Sequence, residues 1–122
     1  MLVPIDVNEL RSYSLKADAG EPKSVFRLGF FDEPTRNYIF NLMRLDAKDP
    51  KNLSEIVRFG LRGWENFGGE MVLEQMVESR IDGKKRSVVS PASMAKLYPT
   101  WIAELANEIF SQNFLTGDEE KN

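Results

Sequence analysis

The stretch Asn52-Leu-Ser-Glu-Ile-Val-Arg-Phe-Gly-Leu-Arg-Gly-Trp-Glu-Asn-Phe-Gly-Gly69 decides how the middle of this chain is read. Leu53, Ile56, Val57, Leu61 and Trp64 recur at intervals of three and four, the spacing that lines up apolar side chains on one face of a helix. Asn52 or Ser54 can accept a hydrogen bond from the free N–H groups of the first turn. The pattern predicts a helix running to about Asn66 and ended by the Gly68-Gly69 pair. Gly60 falls on the apolar side, where the missing Cβ lets a neighbouring element approach closely.

Working back from this helix, Asp46 to Pro50 is a polar break. Before it, Asp32-Glu33-Pro34 combines a capping side chain, an acid near the positive helix end and a proline tolerated in the first turn. A helix from Glu33 to about Arg44 follows, with Tyr38, Ile39, Leu42, Met43 and Leu45 on its apolar side. Ser24 to Phe31 is rich in aromatic and branched residues and reads as a strand with Val25 or Phe26 turned inward. The first twenty residues alternate loosely through Leu2, Val3, Ile5, Val7, Tyr13 and Leu15, as a short strand or extended arm would, before the turn-like Ala19-Gly-Glu-Pro22.

Working forward, Glu70 to Ser79 fits either a helix or a strand. Asp82-Gly83 is a hairpin-type turn, with Ser87 to Ser90 as its return strand. Ser90-Pro91 starts another helix, ended at Pro99. Thr100 can cap the last helix, which places Trp101, Ile102, Leu105, Ile109 and Phe110 on one side and Glu104, Asn107, Glu108 and Gln112 on the other. The expected fold class is α+β, predominantly helical, with three to four helices and a small antiparallel sheet or hairpin. Residues 1–115 form one domain in this reading. The tail Thr116 to Asn122 has no apolar side chain to bury and is expected to be mobile.

Composition narrows the function. With 42% apolar and 29% charged residues the 122-residue chain lies well away from the disordered regime. There is no cysteine and no histidine. Disulfides, thiolate nucleophiles, serine–histidine triads and the commonest metal ligands are therefore absent. No cofactor is expected. Met1 to Asn8 holds Pro4, Asp6 and Asn8 where a signal peptide needs a basic and then an apolar run, so no secretion signal is expected. The apolar runs are only a few residues long, against about 20 for a bilayer span, so no membrane partner is expected. A net charge of −3 argues against a general nucleic-acid footprint.

Three features invite chemistry. Glu70, Glu74 and Glu78 share one face if their segment is helical, which reads first as a solvated acidic face. The glycines Gly60, Gly63, Gly68 and Gly69 match neither phosphate-binding spacing and read as packing and termination. Arg80, Lys84, Lys85 and Arg86 bracket the Asp82-Gly83 turn and suit an acidic protein partner better than phosphates. Trp64 and Trp101 read as core residues, with interface anchoring as the alternative.

The stretch Val57-Arg-Phe-Gly-Leu-Arg-Gly-Trp-Glu-Asn-Phe67, the Gly-Gly-Glu after it, and Trp101 to Leu115 with the acidic ending resemble the tail assembly chaperones of long-tailed bacteriophages. In that family a central helix carries a glycine, a short gap and Gly-Trp-x-Asn, here Gly60 and Gly63-Trp64-Glu65-Asn66. The C-terminal helix ends in Asn-x-Leu before a charged tail, here Asn113-Phe114-Leu115. The likeness covers roughly residues 53–122. It departs from the pattern between Glu70 and Val89, where a basic turn replaces a shorter polar loop. The resemblance implies a non-enzymatic helper in the cytoplasm of the bacterial host cell. Such a helper binds the phage tape-measure protein, brings the major tail (tube) protein to it, and is absent from the mature virion. Self-association is compatible with this role. A structural head-tail connector or tail terminator of the virion is the alternative, and a small carboxylate enzyme or a DNA-binding regulator stands behind it. The matched motif and the basic turn point to Arg58, Arg62, Trp64, Asn66, Lys84, Lys85, Arg86, Asn113 and Phe114 as partner-binding residues.

Overall fold

The structure, a computed structural model, describes residues 2–115; the expected mobile tail lies outside them. Among the described residues, two short antiparallel sheets and four helices make up the α+β fold. The first sheet has the order β1 (Leu10–Tyr13), β2 (Val25–Gly29), β3 (Leu61–Glu65), with β2 in the centre. Between β2 and β3 the chain forms α1 (Glu33–Leu45) and α2 (Pro50–Gly60). A hairpin of β4 (Leu73–Val77) and β5 (Lys85–Val89) is the second sheet. The single-turn α3 (Pro91–Met94) and the long α4 (Pro99–Phe114) complete the chain. No helix among the described residues is long and apolar enough to cross a membrane.

The strand at Ser24–Phe31 and the helix after Asp32 form where the sequence predicts them. Asp32 accepts from the Thr35 N–H at 3.0 Å, and Phe26 and Leu28 are buried on one face of β2. Within the ambiguous segment 70–79, Leu73–Val77 is a strand and the rest is irregular, so Glu70, Glu74 and Glu78 share no helical face. The Asp82-Gly83 turn joins it to its return strand as expected, with Gly83 at φ 73°.

The main correction falls on residues 61–66. The helix ends at Gly60, and Leu61–Glu65 is a strand paired with β2, Phe26 lying opposite Trp64. A spacing of three puts Leu61 and Trp64 on one face of a helix but on opposite faces of a regular strand; the register shift opposite Arg27 and Leu28, which leaves Arg62 extra, turns both to the core here. The strand wins because it gives β2 a second neighbour and satisfies a row of buried backbone groups. Two glycines in four residues, Gly60 and Gly63, also make continuing the helix costly. Asn66 then turns the chain at φ 58°, and Gly68 and Gly69 at positive φ continue this turn rather than ending a helix.

The caps are corrected as well. Asp49, not Asn52 or Ser54, caps α2, accepting from the Lys51 N–H at 2.9 Å with Pro50 in the first turn. Asn52 instead donates to the carbonyls of Leu42 and Asp46 and closes the end of α1. Thr100 lies inside α4, whose N-cap is Tyr98 with no side-chain hydrogen bond. The helix begun at Ser90 stops after one turn. Leu45, assigned to the buried side of α1, is 80% exposed, and Gln112, assigned to the polar side of α4, is buried.

Helix α4 packs closely against α2. Gly60 is buried, and a Cβ there would overlap the Cγ2 of Ile109. The close approach expected of Gly60 is therefore real, with α4 as the neighbour. Around this contact Ile56, Val57, Leu61, Leu105 and Ile109 form the centre of the core. Gly60→Ala is expected to cost about 1–3 kcal/mol in denaturant unfolding. Combined with Ile109→Ala, which removes the obstructing methyl, the two losses should sum to more than the double variant loses. Strict additivity would mean that close approach is not what Gly60 supplies.

Candidate partner-binding surface

The residues singled out in the sequence separate into groups with different duties. Trp64 is buried on β3, edge-to-face with Phe26 and Phe67, and its Nε1 donates to the Gly69 carbonyl at 2.8 Å. Asn66 locks the same turn, donating to the Lys23 carbonyl while its own carbonyl accepts from the Ser24 hydroxyl. Arg58 pairs with Glu55 at 2.6 Å. Arg62 donates to the Ser87 carbonyl at 2.8 Å and ties β3 to the hairpin; burial lowers its pKa, against the pull of nearby Asp32.

Two of the four cations of the basic turn, Arg80 and Arg86, are neutralised. Arg86 pairs with Asp82 and reaches Asp32 at 3.1 Å, clamping the hairpin to the start of α1. Arg80 pairs with Glu78 at 2.9 Å and reaches Glu55 at 3.5 Å. Lys84 and Lys85 are exposed and make no ion pair among the described residues. Beside Arg80, an open concavity of about 540 Å³ lies between α1 and α2, lined by Tyr38, Leu42, Asn52 and Glu55. Of its two carboxylates, Glu55 is engaged by Arg58 and by the Tyr38 hydroxyl, and Asp49 accepts from the Lys51 N–H as the cap of α2. The carboxylates whose pKa is displaced, Asp18, Asp32, Glu78 and Asp82, all move downward. A general acid needs the opposite shift.

Asn113 and Phe114 sit together at the end of α4. Asn113 is buried: its Oδ1 accepts from the Phe31 N–H at 2.7 Å and its Nδ2 donates to Ile109 and Gly29 carbonyls. Gln112 donates to the same Gly29 carbonyl at 2.9 Å. These amides pin the helix so that Phe114 packs on Phe110, with ring centroids 4.5 Å apart, and on Phe31 at 6.3 Å. Phe40 from α1 completes the group, 6.0 Å from Phe114 and 50% exposed, and Leu115 beside it is exposed too.

This is an apolar, aromatic patch, open to solvent at Phe40 and Leu115 and half-buried at Phe110 and Phe114. Arg36 and Arg44 stand one helical turn to either side of Phe40 and give its helix a cationic rim. Such a surface suits an apolar helix face with acidic flanks. Sequence reasoning named Phe114 but missed Phe40. The available signal was that Phe40 is apolar yet falls off the stripe of Tyr38, Ile39, Leu42 and Met43.

The ion pairs carry a pH consequence. At Asp32, burial raises the pKa but is outweighed by hydrogen bonds from Thr35 and the charge of Arg86; at Glu78, the Arg80 hydrogen bond lowers it against burial. Both folded values lie below the ordinary 3.8 and 4.5. Their stabilisation is fully present above those values and is lost as pH falls through the lower folded ones. The thermal midpoint should therefore hold from pH 7 to about 5 and drop below about 4. Glu78→Gln should make the drop shallower, and an unchanged acid limb would exclude this pair as a cause.

No protein-family model, curated protein or solved structure matches the chain.

Proposed function

We propose that this chain is a phage tail assembly chaperone. It works by binding rather than catalysis, in the cytoplasm of the bacterial host. It holds apolar helical segments of the tape-measure protein in solution, helps bring major tail (tube) protein subunits to it, and does not remain in the virion. The observation that carries this reading is the apolar patch at the end of α4, where Phe40 and Leu115 are exposed and the rings of Phe110 and Phe114 are half-buried. It lies at the end of the helix on which the family-like Asn113-Phe114-Leu115 stands. Exposed apolar area with a charged rim is what a holder of apolar helices needs, and it is otherwise a liability for a small protein.

Expression of the tagged chain in phage-producing cells, with identification of retained proteins and of the proteins in purified virions, tests the reading. The tape-measure protein should be retained and the bait absent from virions. Phe40→Asp should weaken retention about tenfold or more, because an anchor of this kind carries much of the binding energy. Lys84→Glu with Lys85→Glu should have little effect. Finding the bait in virions would instead favour a head-tail connector or tail terminator. Retention untouched by Phe40→Asp would move the binding surface elsewhere.

A further inference from the structure

Strand β1 is an outer strand of its sheet, and its far edge pairs with no strand among the described residues. An open edge is a template for another strand. The segment leading into it, Leu2 to Val7, exposes four apolar side chains, Leu2 and Val3 at 94% and 87%. On β1 itself Leu10 is 53% exposed. Its neighbours Glu9 and Arg11 are exposed and make no ion pair among the described residues, Arg11 lying only over the Phe30 ring at 5.1 Å.

The stretch Glu9-Leu-Arg11 is self-complementary when reversed on itself. With a two-fold axis at Leu10, Glu9 faces Arg11 of the second copy, Arg11 faces its Glu9, and the two Leu10 side chains meet on the opposite face of the sheet. Directly opposed residues in an antiparallel pair are close enough for such charge pairs to stabilise and like charges to destabilise. An axis at Arg11 would oppose two guanidiniums, and one at Glu9 two carboxylates, so charge selects the register. The pairing covers residues 9–11 alone, because before them the chain turns at Val7-Asn8, where the Glu9 N–H donates to the Asp6 carbonyl at 3.0 Å.

We propose that two copies of this chain associate through β1, antiparallel about a two-fold axis at Leu10, so that three strands from each copy form one continuous sheet. An isologous contact of this kind closes on itself and stops at two. The association does not depend on the chaperone reading.

The chain has no cysteine, so an introduced one reports cleanly. Opposed Cα atoms in an antiparallel pair are about 4.5–5.5 Å apart, within the range a disulfide spans. Leu10→Cys should therefore oxidise to a covalent dimer, whereas Lys48→Cys, exposed and away from β1, should not. By light scattering the wild-type chain should have twice its 14.0 kDa mass. Arg11→Glu should be monomeric, with folding checked by circular dichroism, and Glu9→Arg combined with Arg11→Glu should restore the dimer. A wild-type chain still monomeric at about 100 µM would overturn the proposal. So would a charge-swapped pair that stays monomeric, or a Leu10→Cys variant that cross-links no better than the Lys48→Cys control. If Arg11→Glu does not fold, the Leu10→Cys comparison decides.

Discussion

Two buried side-chain amides hold the structure together where its backbone pattern runs out. Strand β2 is the centre of its sheet, yet after Gly29 the chain leaves the ladder to enter α1. The Phe31 N–H and the Gly29 carbonyl are there satisfied by Asn113 and Gln112 from the last turns of α4. A buried peptide group left without a partner costs about 1–3 kcal/mol, more than most single contacts contribute. Both ends of the chain's tertiary order meet at this point. The central strand can leave the sheet only because the last helix supplies replacement partners, and the helix is fixed in rotation because its amides must reach them.

The close contact of α4 with α2 follows from the same fixed position. Gly60 lies where Ile109 presses against the chain, and the chain changes there from helix to strand. Leu61 and Trp64 stay on the core side after the change, and Trp64 continues an aromatic series through Phe67 to Trp101 and Tyr98. Thus α4 is held along its length: aromatic rings near its start, the glycine contact in the middle, and the amides at its end.

This arrangement separates groups that build the fold from groups left for recognition. Arg62, Arg80 and Arg86 are engaged within the molecule, Arg62 and Arg86 joining the hairpin to β3 and to the start of α1, since each has a carbonyl or carboxylate partner there. Charges so engaged offer a partner less than their number suggests. The aromatic surface is different. Phe114 is placed by the buried amide beside it but packs only partly, and Phe40 meets it from another helix with half its area in solvent. Burial of one residue and exposure of its neighbour on α4 are two results of one helix rotation.

The sequence alone determined the elements whose signals are local. Asp32 with Pro34 started α1, Ser90 with Pro91 started α3, Asp82-Gly83 turned the hairpin, and the absence of histidine and cysteine removed whole classes of chemistry. Phe114 was singled out through the family resemblance of Asn113-Phe114-Leu115, not through the spacing of the last helix. Only the tertiary structure decided that residues 61–65 are a strand, because the bulge that turns both Leu61 and Trp64 to the core arises in the pairing with β2, far away in sequence. Likewise only the fold made Asn113 and Gln112 internal ties and set Phe40 beside Phe114. A polar side chain is buried when a distant backbone group needs it, and a surface forms when two helices bring their residues together. Neither condition is written in the spacing of residues along one segment.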